Sequence, residues 1–167
     1  TVVGVGRNVQ FFVTVGTQQS NGSHAVTSYA KPKVKDVAAV GAVNIRKLQT
    51  IGGQNLSVTG TNFGPLGVVM DNADGLKYGN GTLGGTASNC SVVVAHTEMS
   101  CKTSVGVGSN LTFVATVGGH QGDYSSDYVH VAYHPPIVTG MTPNSGSSLG
   151  GTRVTVTGTY FGDAPAK

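Results

Sequence analysis

The sequence predicts an all-β chain of tandem sandwiches, and three observations carry that prediction. Apolar and polar residues alternate at a period of two, glycine-rich turns interrupt the chain at short intervals, and two blocks of sequence return further on. The stretch from Val3 to Gly16 returns as Val105 to Gly118 with nine of fourteen positions identical, and Gly52 to Gly64 returns as Gly150 to Gly162. The offsets, 102 and 98 residues, agree to within a loop. A period of that length means that a whole domain repeats, not a short solenoid unit.

Taken in order, Val9, Phe11, Val13 and Val15 mark the first strand with one buried face. Leu56 and Val58 point inward against Asn55, Ser57 and Thr59. Cys90, Val92 and Val94 form the next inward set. Leu111, Phe113, Ala115 and Val117 repeat the first strand against Asn110, Thr112, Val114 and Thr116, and Val129, Val131 and Tyr133 follow. Val154 and Val156 repeat the second strand. Turn signals fall at Gly52-Gly53, at Asn62 to Pro65, and at Asp74-Gly75, Asn80-Gly81, Gly84-Gly85 and Gly118-Gly119. No segment sustains the 3.6-residue apolar period of a helix. Pro32 and the pair Pro135-Pro136 stand at equivalent places after Tyr29 and Tyr133, as stiff junctions between sandwiches. The expected organisation is the second half of one domain in 1–31, a complete domain in 32–134 and the first half of a third in 135–167.

Composition agrees. Twenty-six glycines, no tryptophan and 10 % charged residues suit short strands and tight turns, and a net charge of +3 with an ordinary apolar fraction argues against disorder. The pI near 9.0 invites a polyanion partner, but seventeen charged side chains make a thin coat for one. No apolar run reaches membrane-spanning length, and Thr1 opens within a strand pattern, so neither a membrane insertion nor a leader is expected in this stretch.

Pro136-Ile137-Val138, Met141-Thr142-Pro143-Asn144-Ser145-Gly146, Gly150-Gly151-Thr152 and Val154 through Gly162 together resemble the opening of an IPT/TIG domain, the immunoglobulin-like fold of plexins, transcription factors and many cell-surface proteins. The central copy is similar from Pro32-Lys33-Val34 through Gly52-Gly53 and Thr59 to Gly64, and on to Tyr133. It departs where Ala38 to Ala42 replace the expected Pro-x-x-Gly turn, and where a long segment separates Gly64 from Cys90. The resemblance implies the fold and says little about function, which lives in sites grafted on folds.

Cys90 and Cys101 flank Val92 to Val94 and a turn near His96-Thr97. Antiparallel neighbours at that spacing reach disulfide distance, and the extracellular IPT domains that this chain resembles often carry such a pair. The alternative is two buried free thiols. Five Asn-x-Ser/Thr sequons mark Asn21, Asn55, Asn80, Asn89 and Asn110. Asn55, Asn89 and Asn110 take the outward parity opposite Leu56, Cys90 and Leu111, while Asn21 and Asn80 sit in glycine-containing turns. N-linked glycans there would clear the core and supply the hydration that charge does not. An extracellular or cell-surface location follows, against the alternative of plain polar residues in an intracellular or bacterial protein.

Little points to catalysis. His130 and His134 share a strand face, but solvated strand-end histidines explain them better than a metal. Asp71-Asn72-Ala73-Asp74-Gly75 has the oxygen ligands of a calcium loop, yet Asx-rich turns look identical. No Gly-x-Ser-x-Gly elbow, paired carboxylates or phosphate-binding helix start occurs, so no enzyme, resident metal or cofactor beyond glycans is expected. Lys31, Lys33 and Lys35 read as edge-protecting lysines, not as a nucleic-acid surface.

Two functional readings remain. The first is a structural array forming a rod, filament or surface appendage, whose partners are adjacent repeats or identical subunits head to tail. The second is a receptor or adhesin ectodomain in which an inserted loop at 65–88, carrying Met70, Leu76 and Tyr78, recognises a protein or glycan.

Overall fold

Strands and turns account for the computed structural model, with no helix among the described residues, which are 3–41, 44–70, 74–125 and 129–162. A first ribbon pairs β1 (Thr14–Val15) with β2 (Gln18–Gln19). The central part contains β3 (Lys33–Ala39), β4 (Asn55–Thr61), β5 (Val69–Met70), β6 (Gly75–Gly79), β7 (Gly84–Thr86), β8 (Ser88–Val94), β9 (Glu98–Lys102), β10 (Leu111–Val117), β11 (His120–Gln121) and β12 (His130–Val131). A last ribbon pairs β13 (Ile137–Thr142) with β14 (Thr155–Thr159).

The central strands form two antiparallel sheets, one ordered β3-β4-β9-β8-β5 and the other β11-β10-β6-β7, with β12 also on β10. Between them lies one apolar core. Val34, Val37, Leu56, Val58, Cys90, Val92, Met99 and Cys101 enter it from the first sheet, and Leu76, Tyr78, Leu111, Phe113, Ala115, Val117 and Val131 from the second. The period-two pattern therefore places alternate residues in the core over most of these strands. Two valines depart from it. Val94 is exposed because the β8–β9 register shifts between Val92 and Val94, and a bulge turns the following side chain outward. Val114 is buried although it takes the outward parity.

The segment 65–88 is not an inserted loop. It supplies β5 to the edge of one sheet and β6 and β7 to the other, and β6 pairs with β10 over five residues. Met70, Leu76 and Tyr78 are all core residues, so they are not available to a ligand. Alternation in this segment is interrupted by glycines, and its short strands lack the pattern that marks a framework element.

The flanking ribbons repeat strand pairings of the central sandwich. β13 and β14 repeat the register of β3 and β4, including a bulge after the second pair: Val34 faces Gly60 before a shift to Asp36, and Val138 faces Gly158 before a shift to Gly140. In the first ribbon Val9 bridges Thr27 as Leu111 faces Val131. Exposure separates the copies. Phe113 is 0 % exposed and its counterpart Phe11 60 %; Phe63 is 0 % exposed and Phe161 46 %. The ribbons present the apolar face of a sandwich without the strands that cover it in the centre.

Candidate functional site

Cys90 and Cys101 form a disulfide between adjacent strands of one sheet, with Cα atoms 4.1 Å apart. The pairing of Ser91 with Ser100 sets the two cysteines directly opposite each other, in the close cross-strand position that a disulfide needs. Both sulfurs face the core, beside Met70 and Leu56.

A buried polar cluster closes the far end of the sandwich. The Tyr133 hydroxyl donates to the Ser104 carbonyl at 2.8 Å and lies 2.8 Å from the Tyr78 hydroxyl, which in turn accepts from the Ser104 amide at 3.0 Å. Burial, followed by the hydrogen bond and charge of Tyr78, raises the Tyr133 phenol above its ordinary range. The Tyr133 ring also covers Gly106, where a Cβ would fall 2.7 Å from its oxygen. Tyr78 is thus buried and bonded within the sandwich.

All five sequon asparagines are exposed. Four of them gather at this same end. Asn55 faces Lys102, which also faces Ser88 beside Asn89. Asn80 donates to the Ser109 carbonyl at 3.3 Å, one residue before Asn110. Asn21 lies on the first ribbon. The opposite end carries Gly64, His96, Val117 and the Gly118 turn. There Asp74 accepts hydrogen bonds from the Gly118 and Gly119 amides at 2.6 and 2.9 Å. The remaining oxygen ligands of the calcium-like turn, Asp71 and Asn72, lie outside the described residues, as does Ala73. His130 and His134 turn to different partners, His130 meeting the Arg46 guanidinium and His134 stacking on Tyr160. Lys33 and Lys35 are exposed on the edge strand β3, and Lys31 pairs with Asp123 at 3.7 Å, an exposed bridge of little energetic weight.

Each ribbon meets the central sandwich at one end. At the first junction Val5 packs against Gly64 and the core cluster, the backbone of Gly6 abuts Gly118, and the Asn62 side chain donates to the Lys31 carbonyl at 2.9 Å. His120 Nδ1 lies 3.1 Å from the Tyr29 carbonyl. At the second junction Val107 packs against Gly162, and the His134 and Tyr160 rings stack with centroids 4.3 Å apart. Val5, Gly64, Val107 and Gly162 all fall inside the repeated blocks, and Gly64 lies in a turn signal, but nothing along the sequence shows that they meet.

No solved structure matches the chain. The family model described as IPT/TIG domain matches residues 40–133 and again 136–167. With two successive matches over most of its length, and with sandwich halves repeated in register on either side of a complete one, the chain belongs to the IPT/TIG domain family.

Proposed function

We propose that this chain is a structural segment of an extracellular, N-glycosylated array of IPT/TIG sandwiches that builds a rod, filament or cell-surface appendage. The observation that carries the reading is the repetition within one chain: β1 and β2 keep the register of β10 and β11, and β13 and β14 keep the register and bulge of β3 and β4. Like units following one another along a chain suit an array whose partners are adjacent repeats or identical subunits arranged head to tail. IPT/TIG domains are non-catalytic and occur in extracellular receptors and adhesion proteins. The disulfide suits an oxidising compartment, and glycans on Asn21, Asn55, Asn80, Asn89 and Asn110 would hydrate a surface poor in charge. The receptor reading rested on Met70, Leu76 and Tyr78 of the segment 65–88, which are instead core residues, although Leu66, Val69 and Leu83 of the same segment are exposed.

The test is intact mass and negative-stain imaging of the native material before and after enzymatic removal of N-glycans. Long uniform threads and a loss of several glycan masses are expected. Compact particles of unchanged mass would count against the array and return the receptor module to first place.

A further inference from the structure

We infer that successive sandwiches are locked at one fixed rotation by a valine knob seated on a left-handed glycine, and not by the stiffness of the proline linkers. A Cβ on Gly64 would lie 2.5 Å from Val5 Cγ1, and a Cβ on Gly162 would lie 2.6 Å from Val107 Cγ1. No side chain fits in either place. Both glycines have positive φ, 96° and 81°, and each follows a left-handed residue two positions earlier, Asn62 at 63° and Tyr160 at 62°. These backbone values give the two sockets the same shape.

The knobs are held equally firmly. Val5 stands between Gly4 and Gly6, and Val107 between Gly106 and Gly108. The Tyr29 amide donates to the Gly6 carbonyl at 3.0 Å, and the Tyr133 amide donates to the Gly108 carbonyl at 2.9 Å. Each tyrosine ring covers the first glycine of its pair, with the phenol oxygen 2.8 Å from a Cβ on Gly4 and 2.7 Å from one on Gly106. Knob and socket are therefore each fixed by their own domain before they meet.

The side chains that can be compared at the two junctions differ. Asn62 donates to the Lys31 carbonyl at the first, and its counterpart Tyr160 stacks on His134 at the second. The linkers differ as well, Ala30-Lys31-Pro32 against His134-Pro135-Pro136. One proline or two, and a polar or aromatic surround, leave the same methyl group against the same glycine. The shared contact sets the rotation. Extended beyond these three units, which rests on the array reading above, it makes each repeat turn by the same amount and gives a regular screw.

Residual dipolar couplings on the intact, isotope-labelled chain test this directly. The central sandwich and the β13–β14 ribbon are expected to share one alignment tensor, with nuclear Overhauser contacts from the Val107 methyls to the Gly162 α-protons. Val107 and Pro135 are both exposed enough that changing either leaves the central core intact. Val107→Ala should split the tensor into two, while Pro135→Ala should leave it shared. A shared tensor in Val107→Ala, a split one in Pro135→Ala, or segments that never share a tensor in the unaltered chain would each overturn the lock. Native threads built on unlocked junctions would refute the lock alone, and a compact native particle with the lock intact would refute the array alone.

Discussion

The hydroxyl of Tyr133 is a single atom on which the closed end of the sandwich depends. Its removal in Tyr133→Phe leaves the Ser104 carbonyl and the Tyr78 hydroxyl short of a partner, and a loss of about 1 to 2 kcal/mol is expected in denaturant unfolding. The same residue sets an alkaline limit. Because its phenol is raised in the folded chain, the unfolded chain releases that proton first, so this contribution is fully present below about pH 10 and is lost as pH rises further. Unfolding titrations should therefore decline less steeply above about pH 10 in Tyr133→Phe than in the unaltered chain. Phe63 and Phe161 give a second comparison, since they share sequence position in the repeat and differ in burial. Phe63→Ala should cost about 3 to 5 kcal/mol, and Phe161→Ala far less, because only the first leaves a cavity in a closed core. Equal losses would mean that the flanking ribbon is already covered.

At the scale of elements, the hairpin of β3 and β4 and its copy in β13 and β14 keep register and bulge while their side chains diverge, so the backbone pattern is the conserved quantity within this chain. Gly60 and Gly158 are the clearest case. A Cβ on either would fall about 2 Å from the carbonyl of the facing strand, at Lys33 or Ile137, and the following phenylalanine folds over the same gap. The β8–β9 pair is fastened covalently. Replacing both Cys90 and Cys101 by alanine should lower stability by about 2 to 3 kcal/mol, read as a fall in Tm on the order of 10 °C. No change on reduction would place the bridge outside the cooperative unit. Strands with a sustained period of two, such as β4 and, apart from Val114, β10, were legible in the sequence, whereas β5 to β7 were not. Gly75, Gly79, Gly84 and Gly85 interrupt their pattern, and only pairing with β8 and β10 makes them strands.

For the whole molecule, the gathering of four sequons at one end of the central sandwich would give the proposed array a direction. Glycans on Asn55, Asn80, Asn89 and Asn110 would surround the second junction and leave the first, at Gly64 and Gly118, to protein contacts alone. Glycopeptide mapping of native material should find occupancy at these four sites; bare asparagines throughout would remove the glycan coat from the proposed function. The sequence by itself determined the all-β class, the repeat and its length, the inward parity of the long strands and the family, because period-two burial and glycine turns are local properties written residue by residue. Tertiary structure alone decided that 65–88 is framework, that Tyr78 faces Tyr133 and Ser104, and that Val5 and Val107 seat on Gly64 and Gly162. Those facts depend on which distant segments meet, and a contact between residues 55 or 59 positions apart leaves no periodic trace along the chain.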